Sequence, residues 1–266
     1  MHKLARCVRF SINPFLPADS PGCNSFASKP SGEGLSLFFE LSVELAGEVD
    51  PVTGFVVNVT DIDKNVRDCV VPIFSEQIRR RFKHGQDPGF YGLIILLKEG
   101  WKRLAGMFGD AKLNTLSLKL NPFRKISINS EDCTMAYFSE KFEFAAMHKL
   151  WAGQLSDEQN LKVFGKCANP TGHGHNYIIE VTVKTPIDEQ FLCVGDFEKI
   201  VDDGLIRLLD HKNLNADVSH FAKINPTVEN IAVFAWNKLA GRFGKALLHS
   251  VTVWETDKTC CSYYGN

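Results

Sequence analysis

"WNKLAGRFGKALLHSVTVWE", Trp236 to Glu255, has an echo earlier in the chain, "WKRLAGMFGDAKLNTLSLKL", Trp101 to Leu120. Trp, Leu, Ala, Gly, Phe and Gly recur in register at an offset of 135 (236 − 101), so Leu104-Ala105-Gly106 matches Leu239-Ala240-Gly241. The same offset pairs "TDIDKNV" (Thr60 to Val66) with "GDFEKIV" (Gly195 to Val201). One offset held without gaps across two separate segments predicts two copies of one unit. The break is expected near "NSED", Asn129 to Asp132, a polar stretch between two strand-like runs. The expected domains are therefore 1–130 and 131–266.

The second copy shows its element order. "YFSEKFEFAAM" alternates through Phe138, Phe142 and Phe144 as a strand does, and "NYIIEVTVK" reads as its partner. Asp196 opens a helix with Phe197, Ile200, Val201, Leu205, Leu208 and Leu209 on one face. "NPTVENIAVFAWNKLAG" is a second helix, with Thr227 as its N-cap, Glu229 at its positive end and Gly241 at its C-cap. "LLHSVTVWET" closes with a strand, and "CCSYY" reads as another. The unit is α+β, with two helices on one face of an antiparallel sheet. In the first copy "GLSLFFELSVEL", "GFVVNVTD" and "NTLSLKLN" are the expected strands, and Pro72 should kink or delay the first helix.

The composition is that of a globular chain: 266 residues, 44% hydrophobic and 23% charged. A net charge of −1 gives no basic field for nucleic acid or a membrane surface. The longest wholly apolar run, "LIILL" (Leu93 to Leu97), is far too short to span a bilayer. "MHKLARCVRFSINPF" does not read as a secretory signal. The 8 cysteines are then expected to be reduced, most of them as buried small hydrophobes, in a cytoplasmic protein.

The chemistry concentrates in "CANPTGHGHNY", Cys167 to Tyr177. His173 and His175, two apart, share one side of a strand, so both imidazoles can reach one ion. Gly172 and Gly174 let backbone approach closely. His148, in "FAAMHKL", is the best third ligand for a His₃ zinc with an open position; His211, His220 and His249 are the other histidines of this half. The plain alternative is that His173 and His175 are polar loop residues. Cys167 can be an activated base or nucleophile with a lowered pKa, or an inert buried thiol. Asp210 and His211, in "LLDHKNLN", can form a proton-transfer pair, or His211 can be a histidine favoured by the helix dipole. Glu255 can pair with a flat N–C–N edge through two parallel hydrogen bonds, or be a solvated strand end.

Together "FEFAAMHKL", "CANPTGHGHNY", "LDHKNLN", "NPTVENIA" and "VTVWET" resemble the 6-pyruvoyltetrahydropterin synthase family, over nearly all of Tyr137 to Glu255. The resemblance implies the tunnelling fold, whose antiparallel sheets with two helices join other copies into barrels. It implies Zn2+ on His148, His173 and His175, Cys167 as catalytic base, and Asp210 with His211 as a second proton-transfer pair. Glu255 would anchor the pterin, with Thr227 and Glu229 nearby. The implied substrate is 7,8-dihydroneopterin triphosphate and the implied product 6-pyruvoyltetrahydropterin. A sister branch, 6-carboxytetrahydropterin synthase of queuosine synthesis, typically has a shorter gap between cysteine and HGH. The five residues "ANPTG" look like the pyruvoyl branch. A reading from another class is a pterin-binding or scaffold protein without turnover.

The first half departs from this pattern. At the 135 offset Asp210 and His211 fall on Ser75 and Glu76, Thr227 and Glu229 on Gly92 and Ile94, and Glu255 on Leu120. "SGEGLSLF" stands where HGH would be. The first copy is thus expected to be a degenerate, non-catalytic domain that serves assembly. Family rings commonly hold three units, with sites between units. Three cannot be divided into pairs, which favours a homo-oligomer of three two-domain chains.

Overall fold

The computed structural model describes residues 1–15, 36–188 and 193–265. Cys23 and most of "SGEGLSLF" lie outside them. The chain divides into two compact units, Met1–Phe138 with Pro186–Gln190, and Ser139–Thr185 with Phe191–Asn266.

In the first unit β1 (His2–Ile12), β2 (Leu37–Gly47), β3 (Lys112–Lys119) and β4 (Arg124–Asn129) pair antiparallel in that order. Val8, Phe10, Ile12, Phe39, Leu41, Val43, Leu116, Leu118, Ile126 and Ile128 are buried on one face by the two-residue alternation of strands. Along the other face Glu40 lies 3.6 Å from both Arg9 and Lys119, on the neighbouring strands.

Three helices cover the apolar face: α1 (Val59–Asn65), α2 (Val71–Lys83) and α3 (Gly89–Leu104). A π-helical turn, Val66–Val70, joins α1 to α2. Ile62, Val66, Val70, Phe74 and Ile78 are all fully buried at steps of four. Each such step overshoots an α-helical turn by about 40°, and the wider π turn takes up the drift. Pro72 sits in the first turn of α2, where its missing N–H costs nothing. The expected strand "GFVVNVTD" is not one. Asn58 accepts from Thr60 N–H at 3.0 Å and starts α1 at Val59. Here a capping side chain outweighs a β-branched run. The remaining strand of the sheet is β1.

In the second unit the strand order is β5 (Met135–His148), β6 (His173–Pro186), β8 (Leu247–Thr256) and β9 (Thr259–Tyr263). β7 (Lys212–Asn213) runs parallel to the end of β5. The helices are α4 (Asp157–Phe164), α5 (Val194–Val201), α6 (Arg207–Leu209), α7 (Leu214–Asp217) and α8 (Val228–Leu239). A π turn, Asp202–Ile206, again follows the first sheet-covering helix. It holds no proline, so the packing stripe Phe197, Val201, Leu205, Leu209 accounts for it better than Pro72 does. Leu208, expected on that stripe, is exposed. α4 was not anticipated, although "SDEQ" spells a capping box: Ser156 accepts from Gln159 N–H while Gln159 accepts from Ser156 N–H. Thr227 caps α8 as expected. Gly106 and Gly241 follow the C-caps of α3 and α8 at φ 81° and 75°, which explains the recurrent Leu-Ala-Gly.

The fold class is α+β, and in both units two strands precede the sheet-covering helices and two follow, while α4, β7 and α7 of the second unit have no counterpart among the described residues of the first. A bulge interrupts β2 at Glu44/Leu45 and β6 at Thr182/Val183. Phe10 stacks on Phe39 (5.3 Å), and Phe144 on Tyr177 (4.9 Å). From α1 onward the 135 offset aligns many buried positions, among them Ile62 with Phe197, Leu97 with Ala232, Leu104 with Leu239 and Leu116 with Val251. The bulge and the stacked pairs instead set 134 for β1 (Phe10 with Phe144) and 138 for β2 (Phe39 with Tyr177). The first hairpin of the second unit therefore spans four extra residues (138 − 134).

The thiols differ from expectation. Among the described residues seven cysteines are free; Cys7, Cys133, Cys193 and Cys260 are exposed and the others half-buried. A thiol carries little apolar area, so strand edges and turns tolerate it at the surface. Among the described residues no helix is long and apolar enough to cross a membrane.

Candidate active site

His148 ends β5, and His173 and His175 open β6, so three imidazoles meet at one end of the hairpin. Gly172, just before them, has φ 71°, and a Cβ there would stand 2.7 Å from the His148 carbonyl oxygen. Only glycine permits that approach. One ligand nitrogen from each histidine falls within 4.8 Å of the other two. His148 Nε2 lies 3.2 Å from His173 Nε2. Two tetrahedral ligands about 2.0–2.1 Å from one zinc would be about 3.3 Å apart, so the spacing fits a shared ion. His148 Nδ1 is 2.8 Å from the Pro226 carbonyl oxygen, which only accepts. Nδ1 therefore carries the proton, and the Nε2 lone pair faces His173. His175 Nε2 is buried without a hydrogen-bond partner. Burial pushes the pKa values of His148 and His175 below the ordinary histidine value, which favours the neutral, ligating form.

Glu255, on β8, faces this cluster: its Oε1 is 3.5 Å from His148 Nε2 and 3.6 Å from His175 Nε2. Its side chain is only 20% exposed, so it is not a solvated strand end. Cys167 lies in a 3₁₀ turn, Gly165–Ala168. Burial, and then the charge on Glu255, push its thiol up rather than down. Leu150 N–H donates to the Cys167 carbonyl (2.8 Å), tying this turn to the segment after His148.

Asp210 and His211 leave the end of α6. Asp210 Oδ1 accepts from Ala145 N–H (2.9 Å) and its Oδ2 lies 2.8 Å from His211 Nδ1. The Ala145 bond, then His211, hold the Asp210 carboxyl below the usual range. His211, at φ 55°, is the one non-glycine residue with positive φ among the described residues, and its side chain is 83% exposed. Such strain persists where surrounding bonds impose it. His211 and His175 line the same cleft, of about 580 Å³.

The remaining expected residues stand elsewhere on the unit. Thr227 uses its hydroxyl to accept from Asn230 N–H at 3.4 Å. Glu229 is exposed in the first turn of α8, and its charge acts on the Cys261 thiol. Sequence reasoning missed Tyr177, whose buried hydroxyl lies 3.3 Å from His148 Nδ1. The signal was present, since His173, His175 and Tyr177 alternate along one strand face. It also missed Asn215, which accepts from Lys149 N–H (2.7 Å) and donates to Lys149 O (2.9 Å). No spacing rule marks that contact.

Residues 137–266 match the family model described as 6-pyruvoyl tetrahydropterin synthase. The human 6-pyruvoyl tetrahydrobiopterin synthase is 43% identical over 133 residues, 49% of this chain and 92% of the relative. The Drosophila melanogaster protein of that name is 42% identical over 135 residues, 49% of this chain and 80% of the relative. The structure of the Caenorhabditis elegans 6-pyruvoyl tetrahydropterin synthase aligns with TM-score 0.46 at 30% identity, covering 50% of this chain and 96% of that one. The sequence matches make the protein an enzyme, a lyase that acts on phosphates. The chain belongs to the 6-pyruvoyl tetrahydropterin synthase family.

Proposed function

We propose that the second unit converts 7,8-dihydroneopterin triphosphate to 6-pyruvoyltetrahydropterin with release of triphosphate. The observation that carries this reading is the convergence of His148, His173 and His175, with one ring nitrogen of each within 4.8 Å of the others and His175 Nε2 left without a hydrogen bond. These three would hold Zn2+, which as a Lewis acid stabilises negative charge on side-chain oxygens. Glu255 anchors the pterin N–C–N edge, and its position against the histidines sets the ring beside them. Thr227 and Glu229, at the start of α8 and outside the cleft that His175 and His211 line, would meet the pterin only at its periphery. Burial and then the charge on Glu255 oppose the Cys167 thiolate, so the thiol proton must first pass to solvent or a neighbouring base; the thiolate formed then takes a proton from the substrate side chain. Asp210 orients His211 through Nδ1, leaving Nε2 free to return a proton.

The first unit is, in this reading, a non-catalytic copy of the same fold that serves assembly. At the aligned positions it has Pro14 for His148, Leu37 for His175, Ser75 and Glu76 for Asp210 and His211, and Leu120 for Glu255. Three such chains form the proposed homo-oligomer. The test is product analysis after incubation with the triphosphate, with zinc present and removed. A pyruvoyl side chain formed only with zinc is expected. A carboxyl product with acetaldehyde would assign the protein to the 6-carboxytetrahydropterin branch. Substrate binding without triphosphate release would make it a pterin-binding protein.

A further inference from the structure

Between the cleft and α8 the chain makes a three-residue γ-turn, Asn225-Pro226-Thr227, closed by Thr227 N–H donating to Asn225 O at 2.9 Å. Proline suits its centre, with a fixed φ and no N–H to satisfy. The turn leaves the Pro226 carbonyl pointing at His148 Nδ1, 2.8 Å away. Two asparagines hold it there. Asn230 Nδ2 donates to Asn225 O at 2.8 Å, while Asn230 N–H reaches Thr227 Oγ1. Asn225 Oδ1 accepts from Trp151 N–H at 2.9 Å, three residues past His148. The bonds close a circuit from the His148 backbone, through Trp151, Asn225 and Pro226, back to the His148 ring.

We propose that Asn225 and Asn230 are positioning residues of the metal centre, fixing the Pro226 carbonyl as acceptor of His148 Nδ1–H and so keeping His148 Nε2 aimed at the ion. This rests on the reading of the three histidines as metal ligands. The first unit supplies a contrast. There the aligned residues Phe90, Tyr91, Gly92 and Ile95 all lie within α3, and no such turn exists. The aligned ligand positions Pro14 and Leu37 offer nothing for a turn to position.

The two amides work through opposite ends, and this separates positioning from mere packing. Asn225 uses its side-chain oxygen as acceptor, and among the described residues its amide nitrogen donates to nothing. Asn230 uses its side-chain nitrogen as donor. Aspartate keeps shape and acceptor but loses the donor. Asn225→Asp should therefore preserve the centre and Asn230→Asp should disturb it, although both changes add the same charge. The experiment titrates Co2+ into the metal-free two-unit chain at pH 7.5, follows the visible d–d absorption, and competes the bound cobalt with Zn2+. The parent should bind one equivalent with a tetrahedral band. Asn225→Asp should stay within about threefold, and Asn230→Asp should bind about 10–100-fold more weakly with an altered band, as loss of outer-shell support does. If Asn230→Asp fails to fold, Asn225→Ala against Asn225→Asp poses the same question, with alanine the weak binder. Equal affinities and bands for the two aspartate variants would overturn the inference alone. A parent chain that takes up neither metal would overturn the metal reading and the inference with it.

Discussion

The helices of the two units differ where the chemistry is proposed. In the first unit α2 runs unbroken from Val71 to Lys83. Its counterpart in the second unit stops at Leu209, and the next two residues, Asp210 and His211, swing out of the helix to meet Ala145. α3 begins at Gly89, but α8 begins at Val228, which aligns with Leu93, one turn later. The turn released by this delay is Asn225 to Thr227. The second unit thus gives up helical backbone bonds at two places and uses the freed groups to aim a carboxylate–imidazole pair and a carbonyl. The first unit keeps both helices and pairs β1 with β2 through an apolar cluster, Phe10, Phe39 and Phe74. Intact helices and an apolar hairpin go together, as do broken helices and a histidine-lined hairpin.

The largest effect expected is from His173→Ala. It should abolish the single metal equivalent per chain and lower turnover at least a thousandfold, since a metal centre supplies several kcal/mol of charge stabilisation. Metal analysis beside a turnover assay reads both. Two equivalents in the parent would break the contrast, because the first unit would then hold a centre of its own. Next in size is Phe39→Ala, the aromatic aligned with Tyr177. Phe39 is buried and in contact with two other rings. Its truncation should cost about 3–5 kcal/mol and leave cobalt binding intact. A denaturation midpoint that barely moves would show that the first unit is not packed around this cluster.

Asp210→Asn comes third. It removes the charge that orients His211 while keeping the shape, and turnover should fall about a hundredfold with metal content unchanged. The matching graft, Ser75→Asp with Glu76→His, should leave turnover where it was, because both positions lie inside α2 and cannot take up the φ of His211. Steady-state rates for both proteins test the pair. Full activity in Asp210→Asn would remove that residue from the proposed mechanism.

Much of this contrast was legible in the sequence, and the rest was hidden for physical reasons. The sheet-covering helices, the Thr227 cap and the His173/His175 pairing follow from short-range periodicity and capping, which act within a few residues. β1 was missed because its alternation is set among charged residues, and "GFVVNVTD" misled because β-branched composition said strand while Asn58 acted as a cap. The change of offset in the hairpins was invisible to a match found in helices and closing strands. It emerges from bulge positions and stacked rings, which are tertiary facts. Tyr177 could have been read from the i, i+2 pattern. Asn215, Asn225 and Asn230 could not, since each bonds to backbone and no spacing announces a carbonyl as partner. The raised thiol of Cys167 also required the fold, which buries it and places Glu255 near enough to act on it.

The smallest effect expected is one of pH, and it tests the same contrast without a mutation. In the metal-free protein burial lowers the pKa values of His148 and His175, while in the unfolded chain both return to about 6.5. Below pH 6.5 the unfolded chain therefore binds more protons than the folded one, so stability falls as pH falls, and falls until the depressed folded values are passed. Asp210, also depressed, acts in the same direction only below about pH 4 and is screened by solvent. The aligned first-unit positions Pro14 and Leu37 carry no titratable group. Acidification from pH 7.5 to 5.5 should thus weaken hydrogen-exchange protection in β6 before β2, once the intrinsic pH dependence of exchange is removed. Bound zinc should resist the loss until protons displace it from the ligands. Equal loss in the two hairpins would mean that the buried histidines do not set the acid response, and that the difference between the units lies in their chemistry and not in their stability.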